Sequence, residues 1–205
     1  MSEQMTAIVL AGGRSRRMGC DKTRLPWGRV TLLEHVVETL RSVADEIIVA
    51  VKDAAAFSSF DVRLVEDELP EASALTGLYS ALKQASFLRC FVCAADMPFL
   101  NPSLIRFLSQ ELDDFELAMP ETPRGLEPLH AVYTMAALPA VEELLSAGKK
   151  CPRELVPKLR TKLVSYPLFS HLDPECQSFV NLNTREDYTR ALATRNANGS
   201  AVGDA

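Results

Sequence analysis

A three-layer, Rossmann-like α/β fold with a mostly parallel central sheet is predicted by three observations. Short β-branched runs alternate with helically periodic segments from Thr6 to about Leu112, the pattern of a parallel sheet covered by helices. Two of those runs, Ile8-Val-Leu10 and Phe91-Val-Cys-Ala-Ala95, are apolar throughout, as in strands buried on both faces. The first runs straight into Ala11-Gly-Gly13 and a cluster of arginines, a junction at which backbone N–H groups stand open to an anion. The 205 residues, 47% hydrophobic and 24% charged, suffice for one domain with a sizeable core. That domain is expected to span residues 1–195, with a disordered tail over 196–205.

Taken in order, residues 6–10 form the first strand. Thr31-Leu-Leu-Glu34 is a capping box, and Leu33, Val36, Val37, Leu40 and Val43 follow at helical spacing, predicting a helix over about 31–44. Residues 46–51 are β-branched and 61–65 alternate polar with apolar, giving two more strands. Leu75, Leu78, Tyr79 and Leu82 share one face of a helix over 73–85. Gly77 in its first turn is a propensity defect of about 1 kcal/mol relative to alanine, which a close approach by ligand or chain explains. The strand over 87–95 stops at Asp96-Met-Pro98, and Asn101-Pro102 supply an N-cap and a first-turn proline for a helix to about 112. Right-handed crossovers align the strand C-termini along one edge, where open α/β sheets bind ligands; Gly12 and Asp96 both fall there. Beyond this point, 115–120 and 127–133 read as strands joined by a turn through Pro123, Arg124 and Gly125. Residues 138–147 read as a helix closed by Gly148, 163–166 as an edge strand, and Thr184-x-x-Asp187 as the cap of a last helix to about 194.

The loop after the first strand carries Arg14, Arg16, Arg17 and Lys22 within nine positions, in a chain whose formal net charge is −5. The positive field is therefore local, and it points to an anion partner; an ordinary βα loop with solvated arginines is the competing reading. A Walker A loop is excluded, because Gly13 and Gly19 enclose five residues and Cys20 follows. The dinucleotide pattern Gly-x-Gly-x-x-Gly is absent as well.

Asp96 is the candidate metal ligand: a carboxylate at a strand end suits Mg²⁺, which takes one or two carboxylates plus substrate phosphates. A turn-stabilising aspartate is the alternative. Asp67, in the acidic triplet Glu66-Asp67-Glu68, reads from periodicity alone as a surface residue. His35, His130 and His171 lie far apart without ligand spacing and read as structural. Five cysteines, an odd number, make no disulfide framework, and Cys90 and Cys93 point to opposite faces of one strand, as buried core thiols. Lys149, Lys150 and Arg153 read either as favourable charge at a helix C-terminus or as a second anion contact. No apolar run reaches the ~18 residues of a membrane span and residues 1–5 lack the features of a signal peptide, so a cytoplasmic protein is expected.

The run Leu10-Ala-Gly-Gly-Arg-Ser-Arg-Arg-Met-Gly-x-Asp-Lys22 resembles the signature loop of nucleotidyltransferases and, among them, of molybdenum cofactor guanylyltransferases. Glu66-Asp67, Ala74-Leu-Thr-Gly-Leu78, Ala95-Asp96-Met-Pro98, Glu127-Pro-Leu-His-Ala-Val-Tyr133, Ala147-Gly-Lys-Lys150 and Phe179-Val-Asn-Leu-Asn-Thr-x-Glu-Asp187 resemble that family's later motifs, in its order, to about Arg195. The resemblance implies transfer of GMP from GTP to molybdopterin with Mg²⁺ as cofactor, releasing pyrophosphate and forming the guanine dinucleotide cofactor. It implies that Leu10, Ala11, Gly12 and Gly13 contact the nucleotide, that Arg17 and Lys22 serve its phosphates, that Asp67 helps to recognise guanine, and that Asp96 binds both nucleotide and Mg²⁺. Asn181 and Asn183 would lie near the acceptor; read as pattern alone, they are equally turn asparagines or paired donors facing one way. The implied partners are GTP, molybdopterin and molybdoenzyme-maturation proteins, with neither nucleic acid nor membrane. Two departures stand out: the family commonly has asparagine where Ala50 stands, and a polar residue before proline-threonine where this chain has Glu127-Pro128-Leu129. The rivals are a cytidylyl- or sugar-phosphate nucleotidyltransferase of the same fold and a catalytically silent nucleotide-binding regulator.

Overall fold

The computed structural model describes residues 4–12, 22–57, 60–69 and 73–200. Its central sheet has the strand order β10 (Thr161–Ser165), β7 (Leu117–Thr122), β9 (His130–Thr134), β6 (Arg89–Ala94), β1 (Met5–Leu10), β4 (Glu46–Val51) and β5 (Arg63–Glu66), with β8 (Gly125–Leu126) paired to β7. β1 pairs in parallel with β4 and β6, β4 with β5 and β10 with β7, whereas β9 runs antiparallel to both β6 and β7. The sheet is thus mostly parallel, as expected, with one reversed strand inside it.

Period-two alternation divides the core. Met5, Ala7 and Val9 of β1 join Phe91 and Cys93 of β6 in one apolar layer, which takes in Leu33, Val36 and Leu40 of α1 (Leu32–Arg41) and Leu104 and Leu108 of α3 (Pro102–Glu111). Ile8, Ile48, Cys90 and Val92 face the opposite layer, with Leu75, Leu78 and Leu82 of α2 (Ala74–Leu82) and Val141 and Leu144 of α4 (Leu138–Ser146). Cys90 and Cys93 are therefore buried thiols on opposite faces of one strand; burial pushes the Cys90 thiol up to about 12.

Local chemistry sets most helix starts. Thr31 accepts from the Glu34 amide while the Thr31 amide donates to Glu34, a complete capping box. Ser73 caps α2 and Asn101 caps α3 ahead of Pro102. A two-stranded ribbon, β2 (Pro26–Trp27) and β3 (Val30–Thr31), turns at Gly28 with φ +75° and escaped the sequence reading. Trp27 of this ribbon packs with Leu182 and Ala191, joining the start of the chain to α6 (Arg185–Ser200). The expected end of that helix near residue 194 is corrected: α6 runs on to Ser200. Arg195 stacks over the Trp27 ring at 5.5 Å and fills the space above Gly28, which ties down the turn where the helix had been expected to stop. α5 is the short helix Tyr166–Phe169. No helix among the described residues is long and apolar enough to cross a membrane.

Candidate functional site

Parallel pairing brings the ends of β1, β4, β5 and β6 to one edge. The ladder continues past the strands: Ala11 N–H donates to Ala50 O at 2.8 Å, Asp67 N–H to Val51 O at 2.9 Å and Ala95 N–H to Leu10 O at 3.1 Å. A cavity of about 370 Å³ opens there, lined by Leu10, Gly12, Ala50, Asp67, Gly77, Asp96, Asn181 and Asn183 among others. Six residues singled out in the sequence as nucleotide, metal or acceptor contacts thus share one concavity. Gly13 and Arg17, with Arg14 and Arg16, lie outside the described residues. Ala11 sits at the strand end between the lining residues Leu10 and Gly12.

Lys22 reaches this cavity from the far side of the loop. Its Nζ lies 2.8 Å from Asp96 Oδ2 and 3.0 Å from Asn183 Oδ1, and the lysine and aspartate side chains are mostly buried. Asn183 is held by its own backbone, since the Asn183 and Thr184 amides both donate to Asp187 Oδ2 at 3.1 and 2.9 Å. The Leu182 amide donates to the Asp96 carbonyl at 3.0 Å, which pins this extended segment to the end of β6. A cation, a carboxylate and an amide from three separate stretches therefore meet.

Asp67 departs from the surface position that periodicity suggested. It is half-buried, and its Oδ1 has no hydrogen-bond partner among the described residues. Two glycines make its niche. A Cβ on Gly12 would stand 3.2 Å from Asp67 Oδ2, and one on Gly77 would stand 3.5 Å from Asp67 Oδ1 and 3.3 Å from Leu10 Cδ2. The close approach expected at Gly77 is thus made by Asp67 and Leu10. Burial raises the Asp67 carboxyl to about 6, against the opposing pull of Lys52.

This shift fixes a sign. With an unfolded value near 3.8 and a folded value near 6, the protonated carboxyl favours the fold fully below pH 3.8, and that contribution is lost as the pH rises through 6. Asp67→Asn is accordingly expected to raise the thermal midpoint at pH 8. The gain is about 1 kcal/mol after allowance for half exposure, or ~2–4 °C in a chain of this size. At pH 4 the gain should vanish. A midpoint equal to wild type at pH 8, read by calorimetry, would show that burial does not strain this carboxylate.

The cationic trio of the second half lies elsewhere. Lys149 pairs with Glu154 at 2.9 Å and Arg153 donates to the Leu126 carbonyl at 3.1 Å; neither they nor Lys150 line this cavity. Ser73, Ala74 and Leu129 do line it and had been given no role as contacts. Ser73 was legible only as a helix start, Ala74 as the first residue of the Ala74-Leu-Thr-Gly-Leu78 motif, and Leu129 as a departure inside the Glu127-Pro-Leu motif. A wider depression, about 870 Å³ around Trp27, Phe99 and Arg195, includes neither Asp67 nor Asp96. It is an open surface that shares no lining residue with the cavity at the strand ends.

The donor set suits a hard divalent cation, because the carboxylates of Asp67 and Asp96 meet the cavity with no thiol or imidazole among its lining residues. No cluster of three or more His, Cys, Asp or Glu among the described residues could hold a metal by itself. A cation at Asp96 would complete its shell with phosphate oxygens and water, as Mg²⁺ does at nucleotide sites.

Residues 7–162 match the family described as a MobA-like NTP transferase domain. A probable molybdenum cofactor guanylyltransferase of Methanosarcina mazei is 38% identical over 197 residues, covering 89% of this chain and 87% of the relative. Another, of Pelotomaculum thermopropionicum, is 35% identical over 92% of each chain. The crystal structure of molybdopterin-guanine dinucleotide biosynthesis protein A from Archaeoglobus fulgidus superposes with a TM-score of 0.83 at 26% identity, over 94% of this chain and 99% of that one.

Proposed function

The chain belongs to the MobA-like NTP transferase family, and from that premise we propose that it transfers GMP from GTP to molybdopterin. A phosphate oxygen of the acceptor bonds to the α-phosphorus of GTP, the α–β bridging P–O bond breaks, and pyrophosphate leaves with the bond's electron pair. Residues 1–195 would act as one nucleotidyltransferase domain in the cytoplasm. The observation that carries the reading is the position of the Lys22 ammonium between the Asp96 carboxylate and the Asn183 amide.

The acceptor phosphate is a nucleophile at neutral pH and needs no general base, so the main cost is to bring two polyanions together in line. Lys22, with Arg17 from the loop, would bear on the triphosphate charge. The backbone of Leu10, Ala11, Gly12 and Gly13 would follow the nucleotide, where side chains larger than these would block approach. Mg²⁺ held by Asp96 would supply charge neutralisation at the phosphates. Asn181 and Asn183 would present amide groups to the acceptor from the opposite wall.

Asp67 carries the base preference in this reading. A buried acceptor without a partner costs about 1–3 kcal/mol, and guanine offers an N1–H and an exocyclic amine to satisfy Oδ1, whereas cytosine offers only its exocyclic amine. With Mg²⁺ present, GTP is expected to raise the thermal midpoint more than CTP, ATP or UTP, and to bind at least tenfold more tightly than CTP by calorimetry. CTP binding as tight as GTP would move the protein to the cytidylyltransferase reading.

A further inference from the structure

Beside the nucleotide cavity lies a second one of about 520 Å³, a volume typical of small-molecule sites. The two share Asn181 and Asn183, so a ligand in the second cavity meets the first across those amides. Phe99 and Phe179 supply aromatic surface, Gln177 adds a third amide, and Arg124 and Arg190 contribute guanidinium groups. The arginines come from opposite ends of the domain's second half: Arg124 from the turn between β7 and β8, Arg190 from α6.

Two acids, Glu175 and Asp187, also line the cavity, so net charge alone does not favour an anion. The hydrogen bonds do. Asp187 already accepts from the Asn183 and Thr184 amides, and Glu175 accepts from Gln177 Nε2 at 2.8 Å. Among the described residues the two guanidinium groups make no hydrogen bond or ion pair, although Glu127 and Asp187 lie close enough to feel their charge. Each acid already gives one carboxylate oxygen to the protein, while the planar donor forks remain available, and such forks match phosphate and other oxyanions two bonds at a time.

The geometry points to Arg124 and Arg190 as paired anion contacts for the acceptor, a planar polar heterocycle bearing a phosphate monoester, seated in this second cavity. This inference rests on the transfer reading above and extends it to residues that the family motifs do not mark. It also reassigns the cationic role that Lys149, Lys150 and Arg153 offered in the sequence, since none of those three lines this cavity.

The test is steady-state kinetics with Mg·GTP and anaerobically prepared molybdopterin on Arg124→Ala, Arg190→Ala and the double variant. Each single change is expected to raise KM for molybdopterin about tenfold and the double change about a hundredfold, the loss of one charge-assisted contact and then two. Meanwhile kcat at saturating acceptor, calorimetric GTP affinity and the thermal midpoint stay near wild type. Arg124→Lys and Arg190→Lys should fall between, because a point charge replaces a fork. A double variant with wild-type KM for molybdopterin overturns the inference and leaves the transfer reading standing, as does a loss confined to GTP. A wild-type protein that binds GTP but forms no dinucleotide from molybdopterin overturns the transfer reading, and this inference with it.

Discussion

Asp96→Ala is expected to lower the rate of pyrophosphate release from GTP and molybdopterin by about 10²–10³, the usual cost of removing one fixed electrostatic element from a transition state. The substitution leaves the sheet edge intact, because the backbone of residue 96 still accepts from the Leu182 amide and a smaller side chain takes the place of the mostly buried carboxylate. It also removes the carboxylate now 2.8 Å from Lys22 Nζ, one of the charges that a bound phosphate must compete with for that ammonium. Binding of GTP without Mg²⁺ should then hold or tighten while Mg²⁺-dependent turnover collapses. Asp96→Asn separates the two effects, since the amide can still accept from Lys22 but brings no charge to a cation. Turnover of Asp96→Ala within a few-fold of wild type would remove Asp96 from the metal role.

Acid should unfold the wild-type protein sooner than a His130→Leu variant. His130 stands on β9 opposite Cys93 of β6, its ring between Phe91 at 5.0 Å and Phe179 at 4.7 Å, fully buried. Neither ring nitrogen has a hydrogen-bond partner among the described residues. Burial holds the imidazole down to about 3, against the opposing pull of the nearby Ser178 backbone. The unfolded chain takes up this proton near pH 6.5 and the fold refuses it until about pH 3, so stability is complete above 6.5 and falls as the pH drops through that window. By pH 5 the loss amounts to about 2 kcal/mol. Urea midpoints at pH 7.5 and pH 5 would measure it, and His130→Leu should lose less between them by that amount. Equal losses in the two proteins would mean that the ring finds a partner for its proton within the fold. The effect bears on the site, because Phe179 packs on His130 and begins the segment that carries Asn181 and Asn183.

Features set by neighbours in sequence could be read without a structure. The capping box of Thr31 and Glu34, the Asn101-Pro102 helix start and the reciprocal Thr184–Asp187 cap each involve groups three residues apart or fewer, and such contacts form wherever the chain turns. The two-faced burial of β1 and β6 was legible for a similar reason, since an unbroken apolar run can be satisfied only between two layers. Once those strands are parallel, Gly12 and Asp96 must come to one edge, and so the candidate site could be located from the sequence before its shape was known.

What only the tertiary structure decided is everything that depends on one element meeting another. Asp67 looks solvated from its neighbours, yet the absence of side chains at Gly12 and Gly77, on two other elements, lets the protein close around it. The reversed strand β9 lies between β6 and β7, a pairing set by hydrogen bonds between distant strands that leaves no mark in local periodicity. α6 continues past residue 195, and there Arg195 meets Trp27 across the molecule, a contact that helix propensity does not encode. Lys22 and Asn183 stand 161 positions apart and touch at 3.0 Å. Residue types in a motif can nominate such partners, but direction and distance between side chains are properties of packing, and only the folded chain supplies them.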